Sequence, residues 1–255
     1  MNSQLIGFYS ILRRETYRFL SIPKQTIIGP LLETYLYIAV FGAALGSRIQ
    51  TIEGSPYIHF IIPGLLLMTL SMNAFSNNTS SIIQQKTLRA IDDQLSSPVA
   101  NILLLAGYTL GGFFRGILIA AITLLTAMFM TNIPIVHPFI LLASLTFSGL
   151  FFASMGVLIG IRAQSFDQIS FYQVFVIQPL IFLGGIFYSA ELLTEPFKTI
   201  THFNPIFYMI NTVRYGMLGH SDVNPYISLF AIFCAAVAVI CLNIYLFNKG
   251  YKLRG

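Results

Sequence analysis

The sequence predicts an all-α polytopic membrane protein with six spanning helices. Three observations carry that expectation. Of 255 residues, 56% are hydrophobic and 9% charged, with a mean hydropathy of +0.76, where soluble domains carry about 25% charged residues. The apolar runs are long and unbroken rather than alternating, which indicates helices and not a β-barrel. A spanning helix needs about 20 apolar residues, and the chain has room for six with short connections.

Residues 1–24 read as an N-terminal amphipathic interfacial helix. Leu5, Phe8, Ile11, Leu12 and Phe19 form its apolar stripe, and Arg13, Arg14, Glu15 and Arg18 fill the face turned to lipid headgroups. A plain charged tail is the alternative. Span one is expected at 27–45, with Pro30 in its first turn and Glu33 inside it; Arg48 and Glu53 fall in the link that follows. Span two is expected at 57–80, with Pro63-Gly64 loosening or kinking it. Its second half is polar, and Asn73, Asn77, Ser80 and Gln84 share one helical face. That face suits either a substrate path or hydrogen bonding between helices.

A polar island follows at 84–98. Residues 54–85 and 94–114 carry no Asp, Glu, Lys or Arg, so Lys86, Arg89, Asp92 and Asp93 stand between two membrane-grade runs. Charge at the bilayer centre is costly, so the island lies at a water face. Leu88, Ile91 and Leu95 recur at i, i+3 and i+7. The pattern predicts a short helix on the membrane surface with an apolar stripe to offer a partner, which we read as a separate ATPase subunit.

Span three is expected at 111–131, with Arg115 near its start, and span four at 139–161, rich in small residues that let backbones approach in lipid. Span five, at 168–188, holds Gln173, Gln178 and Gly184-Gly185; the glycine pair suits a constriction or close packing. The segment 189–225 is too apolar for a solvated loop and too interrupted for a span, so short re-entrant helices are expected. Span six is expected at 226–247. With six spans both termini share a side. That side carries ten basic residues (Arg13, Arg14, Arg18, Lys24, Lys86, Arg89, Arg162, Lys249, Lys252, Arg254) against Arg48, Lys198 and Arg214 opposite, so the termini and the island are cytoplasmic. By residue counting, Glu33 and Arg115 lie at similar depth, and either pair with each other or, for Arg115, snorkel.

The chemistry that is missing narrows function. No G-x-x-x-x-G-K-[ST] loop occurs, so no ATP site is expected on this chain. No G-x-S-x-G or H-E-x-x-H motif occurs. The four histidines are scattered without metal-ligand spacing, so no metal is expected. Cys234 and Cys241 lie two helical turns apart in one apolar run, too far to bridge. The net charge of +5 sits at membrane edges and does not indicate nucleic acid.

The motifs in order resemble the membrane subunit of a type-2 ATP-binding-cassette exporter, of the bacterial drug, polysaccharide and lipo-oligosaccharide export family. They are Phe41-Gly42 with Leu45-Gly46; Tyr57-x-x-Phe60-x-x-Pro63-Gly64-Leu65; the island Lys86 to Leu95 closing in Ser97-Pro98-Val99; Leu183-Gly184-Gly185-Ile186-Phe187-Tyr188; Asn204-Pro205-Ile206-Phe207-Tyr208; and Arg214-Tyr215-Gly216. Gln94 departs from the pattern, standing where acidic residues are common. The resemblance implies that the island is a coupling helix, with Lys86, Leu88, Arg89, Ile91, Asp92, Asp93 and Leu95 contacting a cytosolic ABC ATPase. It further implies that a second copy of the chain completes the path, that ATP and magnesium are bound by the partner, and that the protein sits in the bacterial inner membrane. A stand-alone secondary transporter or channel would show internal repeats, and a lipid-modifying enzyme a polar cluster at one interface; neither is visible here.

Overall fold

The computed structural model describes residues 3–42, 51–52 and 54–250. Leu45-Gly46, Arg48, Glu53, Lys252 and Arg254 lie outside the described residues.

Helix α1 (Ser3–Leu20) leads into a short π-helical turn (Lys24–Ile28), which runs directly into α2 (Gly29–Val40). A two-stranded hairpin follows, Thr51–Ile52 against Ser55–Pro56, the one sheet among the described residues. Helix α3 (Tyr57–Thr87) contains Pro63 without a break in the helix, and α4 (Ala90–Ser96) lies just beyond it. Helices α5 (Asn101–Thr131) and α6 (Pro138–Arg162) come next. A broken track then runs through α7 (Phe166–Tyr172), a π segment (Gln173–Ile177) and α8 (Gln178–Phe182). A 3-10 turn (Ala190–Leu192), α9 (Phe197–Phe203), α10 (Pro205–Leu218) and α11 (Pro225–Asn248) close the chain.

Among the described residues, four helices are long and apolar enough to cross a membrane: α3, α5, α6 and α11. The tracks expected as spans one and five are helical but assembled from shorter pieces, each carrying a π segment. Helices α3 and α5, at 31 residues, are each about 46 Å long at 1.5 Å per residue. They outrun the hydrocarbon layer of about 30 Å, so α3 includes residues expected in the island and α5 starts at Asn101 rather than 111.

Helix α3 is the axis. Phe60, Ile61, Ile62, Leu65, Leu66, Leu67 and Leu70 are buried on every side of it, the mark of a helix enclosed by others. It packs mainly on α6 and α5. Small residues on α6 make this possible: a methyl group on Gly156 would meet the Phe75 carbonyl oxygen at 2.5 Å. Amides lock the contact, Asn78 Nδ2 donating to the Ala153 carbonyl (2.9 Å) and Asn243 Nδ2 on α11 to the Ser154 carbonyl (2.8 Å). The caps follow the sequence. Asn204 and Asn224 accept from backbone N–H groups of α10 and α11, each with proline in the first turn.

The segment between α8 and α11 is held by a buried knot. Arg214 lies 3.9 Å from the centre of the Phe60 ring, donates to the Gly185 carbonyl (2.6 Å) and faces Asp222 at 3.6 Å. Asp222 also accepts from Ser189 Oγ and the Ala190 N–H. Asp222→Ala removes the two accepted hydrogen bonds and the charge facing Arg214 and should destabilise the protein by about 1–3 kcal/mol, read as a lowered thermal midpoint in detergent; an unchanged midpoint would contradict the knot.

Candidate functional site

The elbow between α3 and α4 turns at Arg89, whose φ of 56° lies in the left-handed region. This bend splits the expected stripe. Leu88 precedes it and is 66% exposed, whereas Ile91 follows it and is 2% exposed, packed among Ile11, Ile82, Leu105, Tyr108 and Phe247. Leu95 is half-buried against the same cluster. Counting i, i+3 and i+7 assumed an unbroken helix; the turn carries Leu88 to the opposite side from Ile91 and Leu95. Arg89 and Asp93 are exposed and Asp92 half-buried. Lys86 faces inward, its Nζ donating to the carbonyls of Ile161 (2.9 Å) and Ala163 (2.7 Å), where α6 ends. A groove of about 370 Å³ opens between the elbow and Gln164, lined by Thr87, Arg89 and Asp92.

Gln94, unremarkable in the sequence apart from its departure, ties three elements together. Its Nε2 donates to Gln85 Oε1 on α3 (2.9 Å), and its Oε1 accepts from the Tyr108 hydroxyl on α5 (2.6 Å). Only an amide both gives and takes here. Gln94→Glu keeps the acceptor, loses the donor, and sets a carboxylate against Gln85 Oε1. We expect a loss of about 1–3 kcal/mol and a faster-exchanging α4 backbone by hydrogen exchange; unaltered exchange would rule this linkage out.

Helix α1 corrects a second expectation. Of its charged face, Arg13 alone points outward; Glu15 is completely buried. Its carboxylate accepts from Arg14 Nη2 (2.9 Å), Arg18 Nη2 (3.1 Å) and Ser81 Oγ (2.7 Å). Arg18 reaches on to the Asn77 carbonyl (2.6 Å) and Ser80 Oγ (3.1 Å), and Arg14 to Gln85 Oε1 (3.1 Å). Burial works against the charge on Arg14, but Tyr108 and Glu15 outweigh it and hold the guanidinium above its ordinary value. Gly111 on α5 has no side chain where Glu15 packs, and any larger residue would clash with it. The signal was present: Ile11, Glu15 and Phe19 are spaced four apart, one buried line on a helix.

Within the membrane, Asn73, Gln173 and Gln178 come together with Glu33 and Arg115 around one cavity of about 510 Å³, between α2, α3, α5 and the α7–α8 track. Ser76 Oγ donates to Gln173 Oε1 (3.1 Å), and Asn73 Nδ2 to the Thr69 carbonyl (2.9 Å). Glu33 and Arg115 share the cavity, yet the ion pairs among the described residues are Arg14–Glu15, Arg18–Glu15 and Arg214–Asp222. Asn77 is buried away from it, donating to Asn78 Oδ1 (3.3 Å). The polar face of α3 thus divides: Asn78 joins helices, and Asn73 opens to the cavity. Gly184 and Gly185 also lie elsewhere, in a buried turn after α8; Gly185 has φ 89°, a conformation glycine adopts without strain.

Residues 7–218 fit the family model described as ABC-2 type transporter. The chain is 38% identical over 259 residues to the inner membrane transport permease YadH of Escherichia coli K12, covering 100% of this chain and 99% of that one. It is 24% identical over 254 residues to Nodulation protein J of Rhizobium meliloti, covering 95% and 93%. To Nodulation protein J of Rhizobium leguminosarum bv. viciae it is 26% identical over 249 residues, covering 94% and 90%. With four membrane-grade helices among the described residues and a family match over most of its length, the chain belongs to the ABC-2 type transporter family.

Proposed function

We propose that this chain is the permease subunit of an ATP-driven exporter in the bacterial inner membrane, working as a pair of copies with two separate cytosolic ABC ATPase subunits. The observation that carries this reading is the α3–α4 elbow. It holds Leu88, Arg89 and Asp93 outward from a cluster that anchors Ile91 beneath them. A large apolar side chain ringed by charges on a rigid backing is how protein interfaces concentrate their energy. Force applied there passes through Gln94, Gln85 and the Glu15 knot to α1, α3 and α5, and so to helices that line the cavity. The termini and the elbow face the cytoplasm by the distribution of basic residues, and the six-span layout counts the two π-containing tracks as spans.

The second copy is expected against α2 and the α7–α8 track, whose outer faces present Leu32, Tyr35, Phe171 and Phe175. Cysteine introduced at Phe175 should cross-link between subunits; cross-links confined to the outer faces of α5 and α6 would refute that pairing. The test of the function is assembly. Tagged permease extracted from membranes should carry an ABC ATPase whose hydrolysis depends on the permease. A permease that transports in reconstituted vesicles without any ATPase would overturn the reading.

A further inference from the structure

Two opposite charges share the membrane cavity without meeting. Glu33 and Arg115 both line it, and neither makes a hydrogen bond or ion pair with any described residue; Arg115 Nε is buried without a partner. In a low-dielectric setting opposite charges attract strongly, so the framework must hold them apart. That framework is built in. Thr34, next to Glu33, contacts Thr123 on α5 (3.5 Å), and Thr123 donates to Thr69 on α3 (3.3 Å), all three buried. Gly116, next to Arg115, leaves no room for a methyl group against the Leu70 carbonyl, which would lie at 3.0 Å. The wall between the charges is polar and has donors to spare. Gln173 has its oxygen taken by Ser76, leaving its NH2, while the amides of Gln25 and Gln178 make no hydrogen bond among the described residues. Both tracks lining the cavity carry π segments at this depth, a feature frequent at functional sites. Glu33 also borders a second, apolar hollow of about 330 Å³ lined by Leu36, Tyr37, Val40 and Phe41. The polar cavity therefore continues into an apolar groove along α2.

We propose that this cavity binds the headgroup of a zwitterionic amphiphile, its acidic group held by Arg115 and the glutamine amides, its amine by Glu33, and its apolar chain along Leu36, Tyr37, Val40 and Phe41. A guanidinium suits a phosphate or carboxylate oxyanion because it keeps its charge and donates in a fork. A carboxylate is the matching partner for an ammonium group. The volume falls within the range of small-molecule sites, about 300–1,000 Å³. The inference deepens the transport reading and rests on it in one respect, that what binds here is carried.

The test uses the full-length permease, purified with and without its ATPase in a maltoside detergent, and native mass spectrometry of bound ligand. Four probes separate the parts: lysophosphatidylethanolamine, lysophosphatidic acid (no amine), a long-chain alkylamine (no acid) and glycerophosphoethanolamine (no chain). The zwitterionic lipid should bind best, each of the others about tenfold or more weaker, as loss of a charged hydrogen-bonding partner or of chain burial implies. Arg115→Gln should weaken its binding to a similar degree, and Arg115→Lys should recover part of it, which a folding defect would not. Glu33→Gln should abolish the preference for lysophosphatidylethanolamine over lysophosphatidic acid. Equal binding of all three amphiphiles, tight binding of glycerophosphoethanolamine, or wild-type preference in both charge variants would overturn the proposal. A permease that assembles with its ATPase but lacks the preference refutes this site and leaves the transport reading standing. One that shows the preference but never assembles does the reverse.

Discussion

Glu15→Ala is expected to destabilise the whole face built by α1, the elbow and the start of α5. The carboxylate is completely buried and receives Arg14, Arg18 and Ser81. Removing one member of a buried ion cluster leaves the others uncompensated, which costs about 3–5 kcal/mol. The lower end applies here, because the Arg14 and Arg18 side chains keep 35% and 26% exposure and water partly screens them. Apolar replacement does not rescue the site easily. Gly111 already sits against the Glu15 side chain, so a branched residue overfills the contact. Arg13→Ala, two residues away on the exposed side, should change stability by no more than about 0.5 kcal/mol. Thermal unfolding in detergent measures both. Equal, small effects of the two substitutions would show that α1 is a headgroup-bound tail after all.

Leu88→Asp and Ile91→Asp should part company, although both residues belong to the same sequence stripe. Leu88 is 66% exposed, so an aspartate there leaves the fold intact and removes an apolar anchor from the proposed ATPase interface. Such anchors are worth roughly 1–3 kcal/mol when truncated, about a ten- to hundredfold loss of affinity, enough to abolish co-purification or uncouple ATP hydrolysis from transport. Ile91 is 2% exposed, and a carboxylate there is buried without a partner. It should lower the thermal midpoint and the yield before any interface is reached. Loss of assembly with Ile91→Asp at full stability, or none with Leu88→Asp, would reverse our assignment of the two faces.

Much of the membrane architecture was legible because hydropathy reports directly on burial in lipid. Helices α3, α5, α6 and α11 fall where long uncharged runs stand in the sequence. Helix ends were less legible. Lipid thickness sets a span's apolar length but not how far its helix continues into water, hence the early start of α5 at Asn101. The elbow misled for a local reason: Arg89 adopts φ 56°, and no periodicity survives a left-handed residue. Glu15 misled because charge outweighed spacing; its register with Ile11 and Phe19 marked it as buried. The cavity was legible only as separate polar residues in α2, α3, α5 and the α7–α8 track. Asn73 and Asn77 share a helical face, and a neighbouring helix, not the sequence, decides that Asn73 opens to the cavity while Asn77 packs inside.

The central claim, that the outward face of the elbow docks on an ATPase, is tested most directly by a photo-crosslinking amino acid placed at positions 88 and 93 in cells expressing the full system. The account predicts a covalent adduct with a cytosolic ABC ATPase from both positions. It predicts none from position 139, where Phe139 is 86% exposed at the far end of α6. Adducts from 139, or none from 88 and 93 while transport continues, would contradict it.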